Sequence, residues 1–169
     1  TGVTVSVEQA KLARDRCADL PIDIEVRDYR ELEGQFDRIV SVGMFEHVGQ
    51  RNYQTFFSKI RTLLKDQGLF LLHTIGAGRD GFATDRWIEK YIFPNGVLPP
   101  APALARQADA FFTIEDWHNF GADYDPTLMA WYRNFNDAWP TLKAHYGDRF
   151  KRMFEYYLLV CAGSFRSRE

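Results

Sequence analysis

The chain has 169 residues, of which 46% are hydrophobic and 15% aromatic, and its formal net charge is -2. This length is typical of one domain with a sizeable core, and no apolar run approaches the roughly 18–20 residues that span a bilayer, so we predict a soluble globular protein. The small negative charge excludes a global attraction to nucleic acid or acidic headgroups, and any such contact needs a local basic patch.

The cysteines and the first residues bear on where the protein works. Cys17 and Cys161 stand far apart and form no CxxC motif, which indicates neither a disulfide framework nor a zinc knuckle. The opening TGVTVSVEQA has no basic segment followed by an apolar stretch, so it does not resemble a secretory signal. We expect a protein of the reducing cytoplasm, and the strand-like start indicates a piece of a longer chain.

The first half of the chain alternates strands with helices. GVTVS predicts a strand, and Ser6 with Gln9 has the spacing of a capping box that starts a helix reaching about Ala18. IDIEV, FDRIVSV and LFLLHTI predict three more strands, the last nearly continuous in apolar residues, as in strands covered on both faces. This order predicts a doubly wound, mostly parallel α/β sheet.

A helix is predicted between the last two of these strands, and Gly68 suits the position just after its end. Its apolar side chains share one face. They are Tyr53, Phe56, Phe57, Ile60, Leu63 and Leu64.

The second half of the chain has a different character. Residues 82–110 are rich in proline and aromatic residues, and we predict an insertion there that forms a lid or a substrate wall. FFTIEDWHNFG predicts another strand, and two long segments after it predict helices. Helical spacing assigns Met129, Trp131 and Phe135 to the core.

Ionisable residues follow two strands of the predicted sheet. Glu46 and His47 come just after FDRIVSV, and His73 closes LFLLHTI. Ligands of open parallel sheets bind outside the carboxyl ends of the strands, and neighbouring strands lie about 5 Å apart, so Glu46 and His73 could face one cavity. A loop-stabilising role is the alternative for each residue alone, and the two together favour a site.

Three further signals are less specific. His47, His73, His118 and Glu46 are possible metal ligands, but no HExxH or comparable spacing joins them, so we predict no metal site. GAGRDG, residues 76–81, satisfies GxGxxG, but a dinucleotide fingerprint leads into a helix and a second strand, and no clear second strand follows here, which favours a flexible loop. Tyr124 lies between two aspartates in a turn-like segment, and either presents its hydroxyl to a pocket or is a core tyrosine.

Five segments together resemble the cyclopropane-fatty-acyl-phospholipid synthases, bacterial enzymes that use S-adenosylmethionine. They are FDRIVSVGMFEHVG, LFLLHTIG, WIEKYIFPNG, EDWHNFGADYD and RMFEYYL with the following CAGSFR. They occur in order over nearly the whole chain. The resemblance implies a Rossmann-like methyltransferase fold with helices on both faces of the sheet, of which residues 1–169 are a partial catalytic domain, incomplete at both ends.

The resemblance also implies a reaction. A methyl group passes from S-adenosylmethionine to the cis double bond of an unsaturated phospholipid acyl chain, and loss of a proton closes a cyclopropane ring. The methylated alkene is a carbocation, so a weak base is needed, and in the family a bicarbonate ion fills that role. By motif, Glu46, His73, Tyr124 and the backbone of Ile75 hold the bicarbonate.

For the cofactor, Thr4 and Gln9 match family positions that contact its ribose and methionine part. Asp28 and Tyr29 sit where the adenine is read, and Val42 lies beneath it at a strand end. The family's glycine-rich cofactor loop, a cysteine before it and the last strand are expected outside this chain. We therefore expect residues 1–169 alone to bind S-adenosylmethionine weakly and to turn over little, and micromolar binding in calorimetry would contradict this.

As partners, the resemblance implies unsaturated phospholipid, transient contact with the inner face of the membrane from the cytoplasm, and a possible homodimer, with no nucleic acid. A basic tail either meets anionic headgroups or is a solvated helix face. Its members are Arg149, Lys151, Arg152, Arg166 and Arg168. Two alternatives stay open: a related methyltransferase that leaves a methyl-branched acyl chain, and a non-catalytic lipid-binding fragment.

Overall fold

The computed structural model describes residues 1–77 and 85–168. Most of the predicted flexible loop at 76–81, and the first residues of the predicted insertion at 82–110, lie outside the described residues. The chain divides into two compact units. The first comprises Thr1–Val42 and Arg51–His73, and the second comprises Gly43–Gln50 and Thr74–Glu169.

The first unit is a set of parallel strand pairs with two helices. Its elements are β1 (Gly2–Thr4), α1 (Val7–Arg16), β2 (Ile24–Val26), β3 (Phe36–Val42), α2 (Tyr53–Leu63) and β4 (Leu64–His73). β1 pairs with β2 and β3 pairs with β4, both in parallel. The four predicted strands and their parallel pairing are therefore confirmed.

The predicted apolar face of α2 forms the core of this unit. All six of its side chains, from Tyr53 to Leu64, are at most 5% exposed. Phe56 lies at the centre, with its ring edge-on to Tyr29 and Phe57 at centroid distances of 5.4 and 5.3 Å, and tilted against Phe70 of β4 at 6.1 Å. Burying each such ring stabilises the fold by about 1.5–3 kcal/mol.

Gly68 does not follow the end of α2, as its sequence position predicted, but lies inside β4. Phe36 of β3 pairs with Leu64 of β4, and Arg38 pairs with Leu69. β4 therefore has more residues than β3 between these two pairs, and the extra residues form a bulge. A Cβ atom at Gly68 would lie 2.6 Å from Cγ of Leu64 and 2.9 Å from the carbonyl oxygen of Lys65. The glycine is required because the bulge brings the chain back onto itself.

One face of the β3–β4 pair is exposed. Val40, Val42, Leu69 and Leu71 are 49–64% exposed, and they alternate along their strands with more buried residues, as the pleat requires. The expectation that the fourth strand is covered on both faces is thus wrong for this chain, because no described element packs on these four side chains.

The second unit is mainly helical. Its elements are a 3-10 turn (Phe45–His47), α3 (Arg86–Tyr91), α4 (Ala101–Asp109), α5 (Gly121–Leu142) and α6 (Asp148–Ser167). α5 and α6 pack together around a core of five buried residues, which confirms the two predicted helices. The core consists of Leu128, Phe135, Trp139, Leu158 and Ala162.

Two of the three predicted core residues of α5 contribute to the core, and the third does not. Phe135 is buried and Met129 packs against the core, but Trp131 is 48% exposed. The buried stripe of α5 centres on Leu128 and Phe135, and Trp131 lies at its edge. The prediction that Trp131 is a core residue is therefore wrong.

The predicted strand FFTIEDWHNFG is also wrong, because residues 112–120 form no regular element. The described part of this unit has no strand with which the segment could pair. His118 instead stacks on Phe120 with ring centroids 3.9 Å apart, and the Asn119 side chain accepts a hydrogen bond of 2.8 Å from the Gly121 N–H at the start of α5. In the described ranges, no helix is both long and apolar enough to traverse a bilayer.

Candidate active site

Glu46 lies just beyond the carboxyl end of β3. The strand ends at Val42, Gly43 adopts a positive φ of 60° that glycine takes without strain, and the chain enters the 3-10 turn Phe45–His47. The turn buries Glu46, which is 8% exposed, whereas His47 points to solvent. The local fold thus takes a carboxylate out of water directly after a strand.

The two carboxylate oxygens of Glu46 differ in their surroundings. Oε1 accepts a hydrogen bond of 2.8 Å from the Ile75 N–H, and the backbone carbonyl of Glu46 accepts one of 2.8 Å from the Val97 N–H. Oε2 is buried and has no hydrogen-bond partner among the described residues. A carboxylate oxygen can only accept, so Oε2 is available for a small donor.

His73 closes β4 opposite Val42 of β3. Its Nδ1 is buried and has no partner within residues 1–77 and 85–168, and the same holds for the Ser41 hydroxyl one position before Val42. Ser41 is not among the site residues predicted from the sequence. The available signal was a polar residue near the carboxyl end of an otherwise apolar strand, where ligands of parallel sheets bind.

Tyr124 lies in the first turn of α5, and the turn-like segment predicted for it is wrong. Asn119 and Phe120 start the helix early, because they accept hydrogen bonds from the N–H groups of Gly121 and Asp123. The Tyr124 ring stacks on Phe165 of α6, with centroids 4.9 Å apart. Its ring position is therefore fixed by a neighbouring helix.

An ion pair beside Tyr124 reinforces this contact. The Arg166 guanidinium donates to both carboxylate oxygens of Asp125, at 2.8 and 2.9 Å. These hydrogen bonds hold the pKa of Asp125 below its ordinary value. The first turn of α5 is thus joined to the end of α6 both by ring stacking and by a bidentate ion pair, the more directional kind.

Half-buried groups line α6 next to these contacts. Burial raises the pKa of Tyr157 to about 12, and burial also raises the pKa of Cys161. The Tyr157 ring lies edge-on to Phe93 at 5.9 Å. Both groups are therefore neutral near pH 7.

Thr4 and Gln9 meet at the turn from β1 into α1. The Thr4 hydroxyl donates a hydrogen bond of 2.9 Å to Oε1 of Gln9, and Thr4 Oγ1 accepts one of 3.2 Å from the Ser6 N–H. Ser6 accepts from the Gln9 N–H, so one half of the predicted capping box forms. The Gln9 side chain is bonded to Thr4 and not to the Ser6 N–H, and its amide NH2 group lies in an exposed position.

Asp28 and Tyr29 follow β2 and are held by different means. The Arg30 side chain donates to both oxygens of Asp28, at 2.5–3.1 Å, and these bonds lower the pKa of Asp28. Tyr29 rests edge-on against Phe56, and burial raises its pKa. Arg30 is not among the residues predicted from the sequence, although the Asp-x-Arg spacing at the start of the 3-10 turn Tyr29–Glu31 indicates it.

The structure brings some of the predicted site residues together. Glu46 contacts Ile75, Thr4 contacts Gln9, and Val42 pairs with His73. Glu46, Ile75 and Tyr124 belong to the second unit, and the other predicted site residues belong to the first. Within the described ranges, no group of three or more His, Cys, Asp or Glu side chains is arranged to hold a metal ion.

Solved structures define the class of this fold. It matches the cyclopropane synthase MmaA2 from Mycobacterium tuberculosis with a TM-score of 0.88 at 26% identity, over 98% of this chain and 64% of that one. The cyclopropane synthase CmaA1, solved with SAH and CTAB, gives 0.86 at 28% identity over the same shares. The fold is that of the S-adenosylmethionine-dependent methyltransferases, as predicted.

The sequence defines the family. The sequence model of the mycolic acid cyclopropane synthetase family matches residues 1–169, and the chain belongs to this family. It is 57% identical over 168 residues to the cyclopropane-fatty-acyl-phospholipid synthase of Escherichia coli K12, covering 99% of this chain and 44% of that enzyme. It is 35% identical over 177 residues to the tuberculostearic acid methyltransferase UfaA1 of Mycobacterium tuberculosis, with shares of 98% and 41%. The chain therefore spans less than half the length of these two relatives.

Proposed function

We propose that the protein transfers a methylene group from S-adenosylmethionine to the cis double bond of unsaturated phospholipid acyl chains, leaving a cyclopropane ring. Family membership and the 57% identity to the E. coli synthase support this proposal. The structural observation that carries it is Glu46, a buried carboxylate with one oxygen held by a backbone N–H and the other free to accept.

Glu46, His73 and Tyr124 would hold a bicarbonate ion, which would supply a weak base for the proton that leaves the substrate. A bicarbonate ion carries one hydroxyl. Oε2 of Glu46 is a buried acceptor that suits the hydroxyl, and His73 Nδ1 is buried without a partner in the described chain. Such pre-set groups stabilise charge without reorganising during the reaction.

For Ile75 we propose a role in addition to the one expected by resemblance. Its N–H is already bonded to Glu46, so we assign Ile75 the task of fixing the carboxylate. Because the Ile75 N–H fixes Oε1, the orientation of the whole carboxylate, and so the position of Oε2, is also fixed.

For the cofactor we propose the residues that the resemblance indicates. When bound, S-adenosylmethionine supplies an activated methyl group. Gln9 has its carbonyl oxygen bonded to Thr4, and its NH2 group would serve as a donor. Asp28 would accept from the adenine amine only by sharing the carboxylate that Arg30 now occupies. Tyr29 and Val42 would provide apolar contact.

The test compares the lipids of cells that express the wild-type gene and a Glu46→Gln variant. Glutamine still accepts from the Ile75 N–H but places a donor where Oε2 was. We expect wild type to add one methylene, as a ring, to unsaturated phospholipids, and the variant to lose about 100-fold or more of this activity, the loss typical of one anion-site group.

Glu115→Gln, an exposed glutamate of the same unit, is the matched control and should retain activity. Lipid mass spectrometry with ring analysis gives the readout. A well-expressed wild type that adds no methylene would contradict the proposed reaction. An active Glu46→Gln variant would contradict the role of Glu46.

A second candidate is a methyltransferase that leaves a methyl branch. The similarity to a tuberculostearic acid methyltransferase over 98% of the chain favours it. A branched alkene formed by loss of the same proton has the same mass as the ring, so the ring analysis, and not the product mass, separates the two products. Lipid binding without any product would instead support the non-catalytic alternative.

We also propose that the active protein works in the cytoplasm at the inner face of the membrane, and a homodimer stays a prediction.

A further inference from the structure

A groove lies between α3 and the first half of α6, within the second unit. Its volume is about 320 Å³, and aromatic rings, a methionine and two arginines line it. The lining residues are Trp87, Tyr91, Arg149, Arg152, Met153 and Tyr156. The four contributed by α6 recur at helical spacing, so they form one face of that helix.

The aromatic wall of the groove is organised. Trp87 meets Tyr156 edge-on with ring centroids 4.6 Å apart, and it contacts Tyr91 at 5.5 Å. Tyr91 and Tyr156 are nevertheless exposed, and the ammonium group of Lys90 lies 5.1 Å from the centre of the Tyr91 ring. The wall thus combines apolar ring surface with polar tips at the solvent edge, a combination suited to an interface between water and an apolar phase.

Ion pairs separate the cations of the basic tail into two groups. Lys151 is bonded to Glu155 and Asn136, and Arg166 is bonded to Asp125. Arg149 and Arg152 are exposed and have no hydrogen bond or ion pair with any described residue. The two arginines that line the groove are therefore available to a ligand.

Charge around the groove is positive although the whole chain is slightly negative. The segments 86–91 and 148–156 carry five cationic and three acidic side chains. Glu89 and Asp148 are exposed acids within them, so the excess of positive charge is modest. It includes two guanidinium groups that line the groove together with aromatic rings, an arrangement that favours an anion with an apolar body.

We propose that this groove binds the phosphodiester headgroup of an anionic phospholipid. Arg149 and Arg152 donate to the phosphate oxygens, for which guanidinium has the matching bidentate geometry. Trp87, Tyr91 and Tyr156 contact the glycerol end of the acyl chains. The inference deepens the proposed function by naming a headgroup site, and it rests on that function for the choice of lipid over other amphiphilic anions.

The test is co-sedimentation with vesicles in the absence of cofactor, so that it does not require turnover. Vesicles of phosphatidylcholine alone are compared with vesicles that also contain phosphatidylglycerol. The double variant Arg149→Gln/Arg152→Gln should bind the mixed vesicles on the order of 30-fold more weakly, since each well-placed charge contributes about fivefold.

Arg106→Gln/Arg133→Gln is the matched control. It removes the same charge from exposed positions of α4 and α5 and should weaken binding less than about threefold if the groove is the site. Equal losses in both double variants, or wild-type binding by the groove variant, would overturn the inference. Circular dichroism checks that all variants are folded.

Two further measurements identify the ligand. Brominated phosphatidylglycerol should quench tryptophan fluorescence in the wild type, and Trp87→Phe should remove a large part of that quenching. Soluble dihexanoyl phosphatidylglycerol should displace the vesicles, whereas inorganic phosphate at the same concentration should not. Equal displacement by phosphate, or displacement by single-stranded RNA and not by lipid, would overturn the headgroup assignment.

These results are independent of the ring-forming test. A protein that forms cyclopropane rings while its groove variants bind like wild type keeps the proposed function and loses this inference. A protein that adds no methylene but needs both arginines for vesicle binding keeps the groove and loses the reaction.

Discussion

A buried carboxylate oxygen without a partner destabilises a folded protein by about 1–3 kcal/mol or more. Glu46 keeps such an oxygen, Oε2, while Oε1 is bonded to the Ile75 N–H. A sequence selected for stability alone would place an amide or an apolar side chain there. The arrangement makes sense as a pre-set acceptor, with stability given up for function.

Tyr157 gives a prediction at the scale of one phenol. Its pKa of about 12 results first from burial, and an unfolded tyrosine titrates near 10. The raised folded pKa means that its contribution to stability is complete below about pH 10 and is lost as pH rises through about 12. An ultraviolet titration should therefore contain a late phenol step that Tyr157→Phe removes.

The same substitution at the neighbouring Tyr156, which is exposed, should leave that late step in place. Loss of the step in Tyr156→Phe, or its persistence in Tyr157→Phe, would show that another tyrosine is responsible.

Some residues of the candidate site can be predicted from the sequence, and others cannot. Glu46 and His73 are predictable because ligands of parallel sheets bind outside the carboxyl ends of the strands, where both residues lie. Ser41 is not predicted, since its importance depends on burial, which is not local in sequence. Arg30 is not predicted either, although its ion pair with Asp28 is local and its Asp-x-Arg spacing is visible in the sequence. The bond from Ile75 to Glu46 joins residues far apart along the chain, so no motif could have predicted it.

The packing of α5 against α6 leads to a prediction at the scale of helices. Leu158 is 1% exposed in the shared core, and its neighbour Leu159 is 43% exposed. Leu158→Ala should lower the free energy of unfolding by about 2–5 kcal/mol, because it removes buried methyl groups and leaves a cavity. Leu159→Ala should change it by less than about 0.5 kcal/mol.

Urea denaturation of the two variants measures this difference. Similar losses in both would mean that α6 is buried on both sides in solution, contrary to the exposure seen here.

Most elements could be predicted from the sequence, since the period of the apolar residues separates strands from helices. The failures share one cause. Gly68, the segment FFTIEDWHNFG and the surroundings of Tyr124 have local patterns that fit a helix cap, a strand and a turn. Their true conformations depend on a bulge against β3, on the absence of a described partner strand, and on early capping of α5.

For the whole molecule, charge limits how it can meet a membrane. The net charge of -2 gives no overall attraction to an anionic surface, so any attraction needs a local basic patch that acts over short distances, and in the proposed headgroup site this patch is the pair of groove arginines. The Debye length falls from about 8 Å at physiological salt to about 3 Å at 1 M. Binding to vesicles that contain phosphatidylglycerol should therefore weaken steadily with added sodium chloride, as co-sedimentation across a salt series would measure.

The residual binding at high salt should depend on the aromatic wall. Binding to these vesicles that is indifferent to salt would argue against any electrostatic part in docking.

The division of the predicted site residues between two units could not be predicted from the sequence, because the boundaries at Val42 and His73 fall inside continuous motifs.

α6 carries both ends of this arrangement. Its first half lines the groove with Tyr156, and its second half supports Tyr124 through Phe165. At 1.5 Å per residue, the helix sets about 13.5 Å between these two positions. Because the length of a helix is fixed, a lipid whose headgroup is bound near Tyr156 would place beside Tyr124 only those acyl carbons that lie at one distance from the headgroup. The length of α6 would then determine which double bond along an acyl chain is modified.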